Sequence, residues 1–97
     1  MYATMARRTR NEARAKEIRE LGVREHSSKL RRAPGFVASY LIADGAENVW
    51  FGIWESKAHA DAFQGEEEAW GRMLDEHDVP LVSAGSGEVL AHTTPEK

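Results

Sequence analysis

The amino-acid sequence predicts a single α+β domain in which four short strands alternate with two helices. The chain has 97 residues, which leaves room for one domain, residues 1–97, and no more. Two stretches with helical periodicity are separated by two short runs rich in aromatic and aliphatic residues. Cysteine is absent, so disulfide bonds, thiolate metal sites and a cysteine nucleophile are excluded.

The first half of the chain predicts a strand, a long helix and a second strand. Residues 2–7 form a short strand, and Asn11 is a candidate N-cap of the helix. The helix runs to about residue 32, because the Ala33-Pro34-Gly35 segment ends it. Residues 36–43 are typical of a strand, since aromatic and aliphatic side chains dominate them.

The second half predicts a hairpin followed by a broken helix. A turn at residues 44–47 starts with Asp-Gly, and residues 49–54 form the next strand. Ser56 is the candidate N-cap of the following helix. We expect this helix to break near Gly65 and to resume over residues 66–77.

The last predicted element is a fourth strand. Pro80 stops the second helix, residues 82–92 form the strand, and residues 93–97 are a frayed tail. This order of elements predicts a ferredoxin-like split βαβ arrangement. In that arrangement one four-stranded antiparallel sheet carries both helices on one face.

Both middle strands are largely apolar on both faces, although two helices can cover only one face. Strict alternation places Phe36, Ala38, Tyr40 and Ile42 on one face, and Val37, Ser39 and Leu41 on the other. In the next strand, Val49, Phe51 and Ile53 share one face, and Trp50, Gly52 and Trp54 share the opposite face. The simplest cover for the second apolar face is the same face of another copy. We therefore expect a homodimer formed through the sheet.

The net charge of −3 is distributed unevenly along the chain. Residues 1–32 hold ten basic and four acidic side chains, a balance that raises the question of nucleic-acid binding. Three glutamates of this segment stand four residues before a basic residue, as in a solvated helix, and aromatic residues for base stacking are not interleaved. We expect no nucleic-acid partner. No apolar run approaches a membrane span or a signal peptide, so we expect a cytoplasmic protein without a membrane partner.

Two motifs with a defined spacing resemble those of a known family. Pro34-Gly35-Phe36 opens a strand, and Trp54-Glu55-Ser56-Lys57 ends the next strand and leads into the helical segment 58–63. With this spacing the chain resembles the antibiotic biosynthesis monooxygenase family from Tyr2 to about His92. The pattern identifies a dimeric α/β-barrel fold better than it identifies a reaction.

The resemblance implies that two four-stranded sheets pack face to face across a dimer axis. Each subunit then holds a pocket between its sheet and its helices. Some family members oxidise polycyclic aromatic compounds with molecular oxygen and no cofactor, others bind and degrade haem, and many have no established activity. For the first group, the resemblance implies a small hydrophobic or aromatic ligand and no cofactor.

Aromatic side chains are the candidate walls of this pocket. Trp54 matches the tryptophan of the family's W-E-S motif, which lines the substrate pocket in cofactor-independent members; alternatively, it is a core tryptophan. Trp50 shares its face, and Gly52 between the two leaves a concave spot. Cofactor-independent members can hold an asparagine at the Trp50 position, so that mechanism does not carry over. The candidate substrate-binding residues are Tyr40, Trp50, Trp54, Phe63 and Trp70.

Three histidines and one arginine are the candidate catalytic residues. His26 lies one turn after a glycine in an apolar helical stripe that comprises Ala15, Ile18, Gly22, His26, Leu30 and Ala33. The stripe of the second helix comprises His59, Phe63, Trp70, Leu74 and His77. A neutral imidazole is a suitable general base near pH 7, but each histidine is alternatively a structural residue. Arg72 is a candidate anion stabiliser.

Haem degradation and metal binding fit the sequence less well. An ungapped match puts Phe63 where haem-degrading members have tryptophan and Met73 where they have histidine. The first strand offers Arg7 or Arg8 in place of their asparagine. The four histidines lack the close spacing of a metal site, so we expect no metal. The run Glu66-Glu67-Glu68 points in three directions and is expected to be a solvated helix face.

These residues favour a cofactor-independent monooxygenase that oxidises a small aromatic or quinol-like compound in a pocket between sheet and helices. Such chemistry is substrate-assisted, so the protein need only bind, deprotonate and exclude water. The alternative is a homodimer of the same fold that binds a hydrophobic ligand without turnover or serves in stress response or assembly.

Overall fold

The computed structural model describes residues 1–96. Its elements follow the predicted order of strand, helix, strand, strand, helix and strand. The strands are β1 (Tyr2–Thr9), β2 (Phe36–Asp44), β3 (Glu47–Trp54) and β4 (Leu81–Glu88). The first helical region comprises a 3₁₀ turn (Glu12–Arg14), α1 (Ala15–Leu21), a π-helical turn (Gly22–His26) and α2 (Ser27–Arg32), and the second comprises α3 (Lys57–Ala62) and α4 (Gln64–Glu76).

The four strands form one antiparallel sheet in the order β2-β3-β1-β4, which confirms the ferredoxin-like α+β prediction. Tyr2 pairs with Trp54 and Ala6 pairs with Trp50, so these four side chains share one face of the sheet. We call it the helix face, because Tyr2 and Trp54 pack there against Leu30 of the first helical region. The opposite face is called the outer face.

The hairpin between β2 and β3 is tighter than predicted. Asp44 pairs with Glu47, so the connection is a two-residue turn in which Gly45 has a φ of 62°. Glu47 therefore belongs to the strand. Arg7 of the neighbouring strand donates hydrogen bonds to both carboxylates at 3.0 Å, and these bonds, first that to Asp44, raise the pKa of its guanidinium.

The prediction that the last strand reaches residue 92 is wrong. Its final ladder pair joins Glu88 to Tyr2, and the amide of Val89 donates to the carbonyl of Met1. The ladder between β1 and β4 therefore ends at Glu88, before residue 92.

Strict alternation along β2 is also wrong at the start of the strand. Phe36 pairs with Trp54 and Ala38 pairs with Ile53, so Val37 is an extra residue that forms a bulge. The bulge turns Phe36 onto the helix face, where its ring packs edge-on against Trp54 at 5.4 Å. Ala38, Tyr40 and Ile42 remain on the outer face.

The helical regions differ from the prediction in two places. The first contains the π-helical turn at residues 22–26, which no sequence signal predicted. The second breaks at Phe63, with a φ of −92°, and Gly65 lies inside α4. The N-cap prediction for Ser56 is confirmed, since its hydroxyl accepts from the amide of His59 at 3.3 Å. Asn11 stands at the N-cap position of the 3₁₀ turn, but its side chain makes no capping hydrogen bond there.

The turn between α2 and β2 depends on a close contact that only glycine permits. Gly35 has a φ of 77°, and a Cβ at this position would overlap the ring of His59. We predict that Gly35→Ala lowers the free energy of unfolding by about 2 to 4 kcal/mol, the sum of backbone strain and overpacking. The matched control is Gly45→Ala, because Gly45 also has a positive φ but a Cβ there meets nothing within 4 Å. Equal losses for the two variants in urea denaturation would show that the contact with His59 adds nothing.

Candidate functional site

A cavity of about 1020 Å³ lies between the helix face of the sheet and the helices, and it is partly open to solvent. Thr4, Trp50 and Trp54 line it from the sheet, and Gly22 and His26 line it from the first helical region. On the side of α4 it is lined by Glu67, Trp70 and Leu74. The cavity therefore occupies the face on which the sequence places both tryptophans of β3.

His26 is the buried polar residue of this cavity, with 8% of the residue exposed. It ends the π-helical turn, and its Nε2 lies 2.9 Å from Oε1 of Glu67. The indole of Trp70 stacks on the imidazole with 5.0 Å between ring centroids and 5° between planes. Trp50 approaches the imidazole from the sheet at 5.8 Å, tilted by 57°. An imidazole is thus held between aromatic rings and a carboxylate.

The indole of Trp70 lies close to Gly22, one turn before His26. A Cβ at Gly22 would lie 3.5 Å from the Cζ2 atom of Trp70, so the indole packs directly over that backbone. The sequence prediction that His26 follows the glycine on one stripe agrees with this geometry. The stripe of the first helical region faces the sheet, with Leu30 buried and Ile18 on the cavity wall.

The concave spot expected at Gly52 is filled. A Cβ at Gly52 would lie 2.5 Å from Cη2 of Trp50, so the indole of Trp50 lies across the glycine. The same Cβ would lie 2.9 Å from Oγ1 of Thr4. Glycine at this position lets Trp50 lie flat along the sheet, and the ring forms the cavity floor.

Two of the predicted aromatic residues, Trp54 and Phe63, belong to the hydrophobic core, and of these only Trp54 also lines the cavity. Trp54 is 1% exposed, and Phe63 packs against it with ring centroids 5.3 Å apart. Trp54 also contributes to the lining of the cavity, whereas Phe63 lies 6.3 Å from the ring of His26. Both alternatives left open for Trp54 by the sequence, core residue and pocket wall, therefore describe part of its position.

Besides Phe63, three other predicted site residues do not line the cavity. Tyr40 is on the outer face, 59% exposed. His59 packs over Gly35, and its Nδ1 lies 2.7 Å from the hydroxyl of Ser56. His77 caps the end of α4, where its Nδ1 lies 2.8 Å from the carbonyl of Met73. The Nε2 of His77 also lies 3.5 Å from Glu17 of the first helical region. His59 and His77 are thus engaged in contacts outside the cavity, and His26 is the histidine that contacts the tryptophans.

The predicted Arg72 lines the cavity from α4 and is exposed. A second arginine of the wall, Arg8, did not figure among the predicted site residues. Its side chain is 13% exposed and donates at 2.7 Å to Asp75 and to the carbonyl of Val79. These bonds tie β1 to the end of α4, so Arg8 is a structural cation at the edge of the cavity.

Glu67 is the main site residue that sequence reasoning missed. It was grouped with its neighbours as a solvated face, yet its spacing carried a signal. Phe63, Glu67, Trp70 and Leu74 follow the i, i+4, i+7, i+11 pattern of one helix face. A carboxylate in that apolar stripe can accept a hydrogen bond from a histidine in the stripe of the first helix, so the two positions are complementary in hydrogen bonding.

Within residues 1–96, no group of three or more His, Cys, Asp or Glu side chains is placed to hold a metal ion. In the same part of the chain, no helix is both long enough and apolar enough to cross a membrane.

No family model matches the sequence, and no curated protein matches it significantly. Solved structures do match across the whole chain. A provisionally assigned antibiotic biosynthesis monooxygenase from Deinococcus radiodurans superposes with a TM-score of 0.81 at 12% identity, covering 100% of both chains. SnoaB, a cofactor-independent oxygenase from Streptomyces nogalater, gives 0.70 at 20% identity over 98% of this chain and 97% of its own.

The chain has the antibiotic biosynthesis monooxygenase fold. The resemblance predicted from the two sequence motifs is therefore confirmed at the level of the fold, which is what identities of this size establish. A dimeric ferredoxin-like protein from an uncultured marine organism shares the fold as well, with a TM-score of 0.68 at 14% identity over 97% of this chain and 98% of its own.

Thr4 provides a stability test at the floor of the cavity. Its Oγ1 is buried and has no hydrogen-bond partner among the described residues. Since an unsatisfied buried hydroxyl is destabilising, we predict that the isosteric Thr4→Val raises the free energy of unfolding by about 1 kcal/mol. Thr4→Ser, which keeps the hydroxyl and loses the methyl group, should lower it by about 1 kcal/mol. If Thr4→Val is less stable than the original chain in urea denaturation, the hydroxyl of Thr4 is not an unsatisfied group.

Proposed function

We propose that this protein is a cofactor-independent monooxygenase that oxidises a planar aromatic, quinol-like compound with molecular oxygen in the cavity between sheet and helices. The observation that carries the proposal is the buried His26, which lines the cavity between Trp50 and Trp70. A cavity of about 1020 Å³ has the volume of pockets that hold drug-sized ligands. Indole rings suit an aromatic ligand, since they offer stacking surfaces.

In the proposed reaction the substrate itself supplies the electrons. A base removes a proton from a phenol or from a methylene group activated by an adjacent aromatic ketone, and the resulting anion reduces oxygen. For a methylene substrate the balance is R₂CH₂ + O₂ → R₂C=O + H₂O, in which the methylene carbon is oxidised and both oxygen atoms are reduced. One oxygen atom enters the product, and the other leaves as water with the two hydrogens.

Because the substrate supplies the electrons, the protein has three tasks: it binds the substrate, deprotonates it and limits the access of water. His26 is the candidate base, because it lines the cavity and His59 and His77 do not. Trp50 and Trp70 are the candidate stacking walls, and the exposed Arg72 is placed at the wall to balance negative charge on the substrate anion. SnoaB, described as a cofactor-independent oxygenase, supports this class of reaction for the fold.

The test is oxygen consumption with anthrone, a methylene substrate of this type. We predict that the protein accelerates oxygen uptake above buffer and that His26→Ala lowers kcat by about 100- to 10,000-fold, as expected for the loss of a general base. The matched control is His77→Ala, which removes a histidine from the same fold outside the cavity.

Two outcomes oppose the proposal in different ways. If His26→Ala and His77→Ala lose activity equally, His26 is not the base. If the original chain does not accelerate oxygen uptake above buffer, the monooxygenase proposal fails for this substrate class. Quenching of tryptophan fluorescence by the same compound would then support the alternative function, binding of a hydrophobic ligand without turnover.

We also propose that the protein is a homodimer formed through the outer face. Tyr40 and Ile42 on this face are 59% and 48% exposed, and Phe51 and Ile53 of the adjacent strand share the face and are half-buried. The helices cover the other side of the sheet, so this apolar surface meets solvent in a single chain. The dimeric ferredoxin-like protein of the same fold supports the assembly.

We predict that sedimentation velocity at micromolar concentration gives twice the mass of one chain. Tyr40→Lys places a charge within the proposed interface, on the outer face of β2, and should shift the protein towards monomer by at least tenfold in the dissociation constant. Leu90→Lys is the control, because Leu90 is 96% exposed and lies beyond the end of β4. A monomeric original chain, or equal effects of both substitutions, would refute assembly through the outer face.

A further inference from the structure

We infer that Glu67 is a positioning residue, which holds His26 with its Nε2–H bonded to the carboxylate and its Nδ1 free to accept a proton from a ligand. The inference rests on the proposed function for its catalytic consequence, but its geometric part stands on the contacts of the two side chains. Glu67 and His26 come from different helical regions, and the packing of these regions brings them to 2.9 Å.

The chemistry of a carboxylate determines which nitrogen carries the proton. A carboxylate only accepts hydrogen bonds, so an imidazole nitrogen 2.9 Å from Oε1 is the one that carries the hydrogen. In the neutral ring the other nitrogen, Nδ1, then has a lone pair. Within residues 1–96 no hydrogen bond involves Nδ1 of His26, so this lone pair has no partner in the described part of the chain.

The orientation of the ring is fixed from the other direction by stacking. Trp70 follows Glu67 by three residues on α4, so the two side chains lie on the same side of the helix. The indole of Trp70 is parallel to the imidazole within 5°, with 5.0 Å between the ring centroids. The centroid of the Phe63 ring lies 6.3 Å from that of the imidazole. Rotation of the imidazole would break the stacking and the bond to Glu67 together, so one helix sets both the plane and the protonated nitrogen.

The two neighbouring glutamates do not share this role. Glu66 pairs with Lys29 at 3.0 Å on the exposed surface, and Glu68 accepts from Gln64 at 3.5 Å. The side chain of Glu67 is 25% exposed, compared with 50% for Glu66. The Lys29–Glu66 pair is exposed to solvent, and pairs of this kind contribute little to stability, so Glu66 provides a control for the charge of the helix.

The consequence for a reaction concerns the charged form of the imidazole. When Nδ1 takes a proton, the ring becomes a cation, and a carboxylate already bonded at Nε2 stabilises that charge without reorganisation. Loss of the carboxylate should therefore lower kcat and leave substrate binding almost unchanged, since Glu67 acts through His26.

The experiment compares Glu67→Gln with Glu66→Gln, which removes one charge from the adjacent position of the same helix. With anthrone as substrate, we expect Glu67→Gln to lower kcat by about 10- to 100-fold with KM changed less than about threefold, the range typical of partners that act through another side chain. Glu66→Gln should keep the original kcat. Equal losses in both variants would assign the effect to charge or helix docking and overturn the inference.

A second readout does not depend on turnover. In protein labelled with ¹⁵N-histidine, the Nε2–H proton of His26 should resonate downfield and exchange slowly with water because it is buried and bonded to a carboxylate. This signal should persist in Glu66→Gln and shift or vanish in Glu67→Gln. If Glu67→Gln does not fold, Glu67→Asp, which shortens the side chain by one methylene, should displace the signal in the same way.

The two readouts separate the failure of this inference from the failure of the proposed function. An original chain that shows the His26 signal but does not oxidise anthrone keeps the His26–Glu67 pair as a structural element and removes its catalytic role. A Glu67→Gln variant that keeps both the signal and the original kcat refutes the inference even if the protein is a monooxygenase.

Discussion

The packing around Trp54 is the constraint on which the rest of the structure depends. Trp54 is the largest fully buried side chain, and it joins Tyr2, Leu30, Ala60 and Phe63 in one cluster, with Phe36 packed against it. These residues come from the start of β1, the end of β3 and the two helical regions. Because the core is concentrated at this end, sheet and helices are joined there and leave a cavity further along. A thin core in a chain of 97 residues and an open site are two results of one arrangement.

The helices that cover the cavity are held by a mixture of stacking and polar contacts. Trp70 packs over Gly22 of the first helical region, and the same indole stacks on His26, which in turn bonds Glu67. A buried histidine and a partly buried carboxylate are a costly way to join two helices, because apolar residues of similar volume would pack without loss of solvation. Such exceptions to a simple apolar interior are most common where a protein carries its function. This is the physical reason for placing the function at His26.

The sequence predicted the fold class and the element order well, because periodicity, caps and turn residues are local signals. It predicted the helix face of β3 with both tryptophans, since alternation holds where no bulge intervenes. It misplaced Phe36 because an extra residue at Val37 reverses the alternation, and the preference for a bulge depends on the partner strand. It extended β4 past Glu88 because the length of a strand is set by its neighbour.

The candidate site was harder to predict, because its contacts join residues far apart in the chain. The stripe of the first helix identified His26, but nothing local separated it from His59 and His77, each of which has one ring nitrogen bonded three or four residues away. Glu67 was hidden in a run of three glutamates, where composition favours a solvated face. Glu67 differs from its neighbours because it lies on the same helix face as Phe63 and Trp70. Recognising it also requires knowing that this face packs against the stripe of the first helix that contains His26, and the sequence alone does not show that packing.

The two proposed tasks of the sheet use alternate residues of the same strands. In β3, Trp50 and Trp54 face the cavity, while Phe51 and Ile53 face the surface assigned to a second copy. A slip of one residue in the register would exchange the two sets completely. The features that fix the register, the tight turn at Gly45 and the bulge at Val37, therefore secure the cavity and the dimer surface together. The proposed assembly and the proposed chemistry use different residues, and both depend on the register that presents those residues.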